Sequence, residues 1–160
     1  MKVSNNGSQF TFQLSGPIGE TSPLFIYKIR DATEVVVDLK EVTFINSIGV
    51  KSWVMWAMKI PLRCPVSFFN CPYVIINQFN MVVGFMPANG KVKSFFAPYH
   101  CEHCNFEKFE LFTDGIEYFN NPDPGQVAIS YPAEKPCPKC GKAMEADFFK
   151  EKLFKFLQKN

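Results

Sequence analysis

Four cysteines at matched spacing carry the plainest chemistry in this chain: "CEHC", Cys101 to Cys104, and "CPKC", Cys137 to Cys140. A Cys-x2-Cys pair is short enough to turn the backbone around one edge of a tetrahedron, and two pairs supply the four thiolates of a closed structural zinc site. Pro138 limits the second turn, and Gly141 permits the close backbone approach that brings amides toward sulfur. The spacing therefore predicts structural Zn2+ held by Cys101, Cys104, Cys137 and Cys140, with the two pairs forming a zinc ribbon. Disulfides or idle thiols are the competing use, but matched pairs in a reducing compartment read as metal ligands. His100 and His103 adjoin the first pair and are expected to face solvent or stand behind the ligands. Cys64 and Cys71 have no matching pair and read as small buried hydrophobes.

A second constellation lies at "FINSIGVKSW", where an apolar strand runs into an apolar helix across Asn46, Ser47 and Gly49. A helix start leaves amides unpaired and carries partial positive charge, so a hydroxyl there accepts an N–H bond and tolerates a phosphate. Ser47 is expected to serve as the N-cap and is the candidate phosphorylation site. Lys51, Ser52 and Met55 project from the helix face opposite the expected core, with Trp56 at its margin, and together suggest a docking patch.

The elements that must position these groups can be read from periodicity. "SQFTFQLSGPIG" alternates Phe10, Phe12 and Leu14 as a half-buried strand does, "TSPLFIYKIRDA" fits a short helix, and "EVVVDLKEVTFI" has the β-branched run of a central strand. A helix follows from Ser47 to Pro61, with Val50, Trp53, Val54, Ala57 and Ile60 on its apolar face. "CPVSFFN" reads as a strand, "PYVIINQFNMV" as a helix, and "GKVKSFFAPYH" as one strand feeding the first cysteine pair. Beyond Cys101, "NFEKFELF" and "VAISYP" read as strands, and "EADFFKEKLFKFLQKN" as a closing amphipathic helix with Phe149, Leu153, Phe156 and Leu157 on one face. Alternating strands and helices up to about residue 100 predict the α/β class: a mixed β-sheet with helices packed on it, then a small β-rich ribbon and a C-terminal helix.

The stretch "VVVDLKEVTFINSIGVKSW" resembles the core motif of STAS domains, the family of anti-sigma factor antagonists and of the cytosolic domains of sulfate transporters. Asp38 matches that family's first aspartate, Ser47 its phosphorylatable hydroxyl and Gly49 its glycine; where the family commonly has Asp before the hydroxyl, this chain has Asn46. The resemblance covers residues 1–98 and leaves 99–160 to the ribbon and closing helix. It implies a STAS-like sheet of four to five strands with helices on one side. It also implies an anti-sigma or histidine-kinase-like protein partner, docked at Asn46, Ser47, Gly49, Lys51, Ser52, Met55 and Trp56. The implied role is that of a bacterial signalling adaptor; the rivals are a STAS accessory subunit of a membrane transport complex and a zinc-ribbon nucleic-acid binder.

Composition bears on these rivals. A net charge of +2, and a segment after Cys101 that is net acidic and lacks arginine, argue against nucleic acid. No run reaches the length of a membrane helix and the N-terminus lacks an apolar leader core, so a cytoplasmic protein without membrane insertion is expected. Catalysis is not expected, because no nucleophile has an evident base, no glycine loop would cradle phosphate and the metal site has no open position.

Overall fold

A computed structural model describes every residue except Lys28, Arg30 and Asn160, together with the backbone but not the side chain of Lys159. The fold is mixed α/β and contains two sheets. The first comprises β1 (Lys2–Asn6), β2 (Gln9–Ile18), β3 (Glu34–Ile45), β4 (Val66–Phe69) and β5 (Gly90–Val92), lying side by side in sequence order. β1 and β2 form an antiparallel pair, and β2 through β5 run parallel. Parallel neighbours need crossovers. Helix α1 (Ser47–Ala57) links β3 to β4, and α2 (Tyr73–Met81) links β4 to β5.

Strand alternation decides which face the helices cover. Phe12, Val37 and Phe68 lie abreast in register and are fully buried, whereas Thr11, Val36 and Ser67 on the opposite face are half-exposed. Trp56 meets Phe12 edge-on at 5.8 Å between ring centres, Trp53 tilts against Phe68 at 6.1 Å and Phe79 of α2 meets Phe68 at 4.9 Å. Both helices therefore pack on one side of the first sheet. Burial of each such ring is worth about 1.5–3 kcal/mol, so this aromatic layer dominates the stability of the crossovers.

The second sheet is antiparallel throughout, with β6 (Ser94–Cys101), β7 (Phe106–Thr113), β8 (Glu134–Pro136) and β9 (Ala143–Ala146) in the order β7-β6-β9-β8. The stretch expected as one strand through "GKVKSFFAPYH" is split at Lys93 into β5 and β6, which belong to different sheets. Lys93 donates its N–H to Phe68 O at 2.7 Å, accepts from Asp114 N–H at 2.9 Å, and pairs its ammonium with the Asp114 carboxylate at 2.8 Å. The sheet change thus falls before the expected boundary at residue 98, which lies inside β6. The two sheets share a core. Phe95 touches Phe112, Tyr118, Phe154 and Phe156, while Cys71, two residues past the end of β4, makes an isolated bridge to it.

Three further elements differ from their sequence expectation. Among its described residues the segment at "TSPLFIYKIRDA" forms one 3-10 turn, Pro23–Ile26, because its buried residues, Leu24, Ile29 and Ala32, are five and three positions apart and do not repeat at i, i+3, i+4 as a helical stripe would; its Lys28 and Arg30 lie outside the described residues. "VAISYP" forms no strand but an isolated bridge from Ile129 to Tyr118. The closing helix is one turn, α3 (Lys150–Leu153), followed by a 3-10 stretch at Lys155–Lys159. Phe149 is 71% exposed ahead of α3, while Leu153, Phe154 and Phe156 are all buried, a set no single helical face can present. β1, β8 and β9 are short strands without a hydrophobic alternation that would announce them.

Burial opposes ionisation of Asp114, but the Lys93 ammonium and the Asn120 amide outweigh it and hold the carboxyl below its usual range. A lowered folded-state value contributes stability above the ordinary carboxylate pKa, and that contribution is lost as pH falls through the lowered value. Asp114→Asn should reduce the melting temperature at neutral pH and narrow the gap between neutral and acid melting; parallel acid sensitivity of wild type and variant in thermal scans would refute this.

Candidate functional site

The second sheet brings the four cysteines together from two turns. Cys101 ends β6 and Cys104 lies in the turn to β7; Cys137 follows β8 and Cys140 lies in the turn to β9. The Cys101 and Cys140 sulfurs are 3.6 Å apart, as are those of Cys104 and Cys137, and all four lie within 4.8 Å of one another. A tetrahedron with metal–sulfur arms of about 2.3 Å has edges of about 3.8 Å. The cluster can therefore hold a metal ion with little movement. A disulfide needs about 2.05 Å between sulfurs, and these thiols are free.

Both turns use the same backbone device. Asn105 and Gly141 each follow the second cysteine of a pair with positive φ, 53° and 72°. In the second turn Cys137 donates its N–H to Lys142 O at 2.7 Å and accepts from Gly141 N–H at 2.8 Å. Asn105 is the non-glycine that best tolerates the left-handed region. Its Oδ1 lies 3.0 Å from His100 Nε2, so His100 props the turn; His103 is exposed.

The thiols divide electrostatically. Burial works against a thiolate at Cys137, but N–H donors of Lys139 and Cys140 and the adjoining thiols outweigh it and bring the pKa to about 7. Burial and the three neighbouring thiols push Cys104 up to about 12. Like charges this close cannot accumulate unaided, whereas a bound cation would deprotonate the coordinating thiols outright. Cys64 and Cys71 stand apart and are fully buried; burial raises both, with the Glu34 and Asp38 carboxylates adding to it respectively.

The helix junction is organised differently from its sequence reading. Asn46, not Ser47, is the cap: its backbone is extended, φ −94° and ψ 173°, and its Oδ1 accepts the Gly49 N–H at 2.7 Å. Ser47 is the first helical residue and is exposed. The amide side chain reaches the third helical N–H, a distance the serine one position later does not span. Gly49 is buried because a Cβ there would collide with the Ile18 carbonyl oxygen and lie 2.9 Å from its carbon. Asn46 N–H donates to that same carbonyl at 3.2 Å. Gly49, expected among the partner contacts, is buried here and has a packing role against the end of β2.

Trp56 is likewise core, at 1% exposure, since α1 is rotated so that Trp53 and Trp56 share the inward stripe while Val50 and Val54 are half-buried. Trp53 Nε1 donates to Phe85 O at 2.9 Å; the Trp56 indole N–H meets no acceptor among the described residues. The outward face keeps Lys51 and Met55, the latter 54% exposed, beside half-buried Ser52. Sequence reasoning missed Asp38 as a brace: its Oδ1 accepts from Lys40 N–H at 3.1 Å and from Asn70 Nδ2 at 3.0 Å, holding Asn70 at φ 52°. Nothing in local spacing links residues 38 and 70.

No family model matches this chain, and no curated protein matches it at a significant level.

These roles separate by mutation. Asn46→Ala should cost about 1 kcal/mol through the lost cap, and Gly49→Ala about 1–3 kcal/mol through overpacking. Ser47→Ala should stay within about 0.5 kcal/mol. Urea unfolding of the three variants checks this order; a serine variant less stable than the asparagine one would return the cap to Ser47.

Proposed function

We propose that the chain is a non-enzymatic signalling adaptor of the anti-sigma factor antagonist type, a STAS-like domain joined to a zinc ribbon. The observation that carries this reading is the solvent-exposed Ser47 hydroxyl in the first turn of α1, beside exposed Lys51 and Met55. Beneath it, the Asn46 side chain closes the helix start, and Gly49 packs it against the end of β2. A five-stranded sheet with helices on one face agrees with what the STAS resemblance implies.

The docking set is Asn46, Ser47, Lys51, Ser52 and Met55. The partner is an anti-sigma or histidine-kinase-like regulator. Phosphorylation of Ser47 would add about two negative charges to the covered surface, tolerated by the free amides of the helix start but unmatched in a partner fitted to the neutral hydroxyl. Asn46 does not contribute the carboxylate that usually precedes the hydroxyl; its amide is engaged as the cap.

In the ribbon, four thiolates in a closed tetrahedral set would favour zinc over hard cations, and a set that uses all four ligand positions supports a structural role for the ion. When bound, zinc would hold both turns of the second sheet together. Metal analysis of the purified chain should give one zinc per chain, released by Cys137→Ser together with a loss of thermal stability; stoichiometric iron, or an unchanged zinc content in the variant, would count against the assignment.

Affinity capture from the native cell tests the adaptor reading. Wild type and Ser47→Ala should retain an anti-sigma or kinase-like protein, and Ser47→Asp should retain at least about tenfold less. Equal capture by wild type and Ser47→Asp would remove the switch, and recovery of a membrane ATPase instead would favour the transport-complex role.

A further inference from the structure

The edge strand β7 has the backbone and side-chain pattern of a self-pairing interface. β7 (Phe106–Thr113) is eight residues long and lies at the open end of the second sheet. The opposite edge, β8, has three residues and ends in Pro136, which blunts it. The edges of the first sheet are the short polar β1 and the three-residue β5. β7 has no proline and no bulge, and exposes Phe109 at 52% and Leu111 at 44%.

Which amides face outward follows from the ladder. Pro98 lies opposite Phe109, has no N–H, and turns its carbonyl toward the other side of β6, where it accepts from Asp147 N–H at 2.9 Å. Lys93 O accepts from Asp114 N–H at 2.9 Å in the same ladder, which fixes the alternation. Glu107, Phe109 and Leu111 consequently point their N–H and C=O groups away from β6 into the open edge. Thr113, the next outward position, is already satisfied by Glu117 Oε2 at 2.8 Å and by the turn after it.

We propose that β7 pairs antiparallel with β7 of a second copy of this chain, centred on Phe109, to join the two ribbon sheets into one. In that register Phe109 faces Phe109 of the second copy, and Glu107 faces Leu111 in both directions; these are the hydrogen-bonded pairs that the free amides require. Lys108 then faces Glu110 of the second copy. A lysine on an edge ordinarily repels a second strand. Here it meets opposite charge, and Lys108 already pairs with Glu110 within the chain at 2.8 Å, as Lys135 does at 3.3 Å. Centring the pair one residue later would place Glu110 against Glu110, so the charges select one register. The two exposed apolar side chains become neighbours across the axis, next to half-buried Phe96. This pairing is independent of the Ser47 surface.

The test is sedimentation of the metal-loaded full chain over a micromolar concentration range, combined with amide hydrogen exchange. Wild type should dimerise, with Glu107, Phe109 and Leu111 amides gaining protection as concentration rises. Phe109→Lys, which sets like charges across the axis at an exposed position, should weaken the dimer about fiftyfold. Lys108→Glu should weaken it too, and Phe109→Lys should keep the wild-type melting profile at low concentration. A wild type that stays monomeric throughout, or a dimer in which those three amides remain unprotected, overturns the proposal.

Discussion

The approach of Gly49 to the Ile18 carbonyl is the constraint on which much of the first sheet depends. A helix that starts within one residue of its strand can fold back over the sheet only if its first turn fits against the neighbouring strand end. At Gly49 that fit leaves no room for a side-chain carbon. Asn46 completes the corner, donating its backbone N–H to Ile18 O and accepting the Gly49 N–H on its side chain. With the entry fixed, Trp53 falls over Phe85 in a stacked arrangement at 4.9 Å and Trp56 over Phe12. Ser47, one residue beyond the cap, is left outward by the same geometry.

The second sheet depends on a different kind of constraint. Its smaller half, β8 and β9, contributes seven residues of strand and little apolar surface, so packing alone gives it a weak claim to order. The four sulfurs supply what is missing, provided a cation neutralises them. Their unequal acidities follow from the two turns: amides converge on Cys137, while Cys104 is surrounded by burial and other thiols. A bound cation would thus couple the folding of this sheet to the charge of the cluster.

The halves are not independent bodies on a tether. Tyr118 Oη and Asn120 Nδ2 both donate to Val92 O, at 2.8 and 2.7 Å, and Asn80 Nδ2 of α2 donates to the carbonyls of Lys152 and Leu153, each at 2.9 Å. Around these bonds the aromatic rings of both sheets meet. The 18 phenylalanines that make the chain so aromatic are partly explained by this seam, where Phe95, Phe112, Phe154 and Phe156 lie together. The α1 surface and the β7 edge therefore belong to one scaffold.

What the sequence determined by itself was whatever is written in short-range spacing. The cysteine pairs, the β-branched run of β3, the 3.6-residue period of α1 and α2 and the turn at Gly141 each depend on residues within about a dozen positions, and each is legible there. Tertiary structure decided what depends on which surfaces meet. The identity of the cap turned on a one-residue difference in where the helix begins, the rotation of α1 that buries Trp56 turned on Phe12 from a strand some 40 residues earlier, and the split at Lys93 turned on Phe68 and Asp114. The closing segment breaks its helix for the same reason. Phe154 and Phe156 must both reach the seam, and no regular period in the chain could announce a demand set by its neighbours.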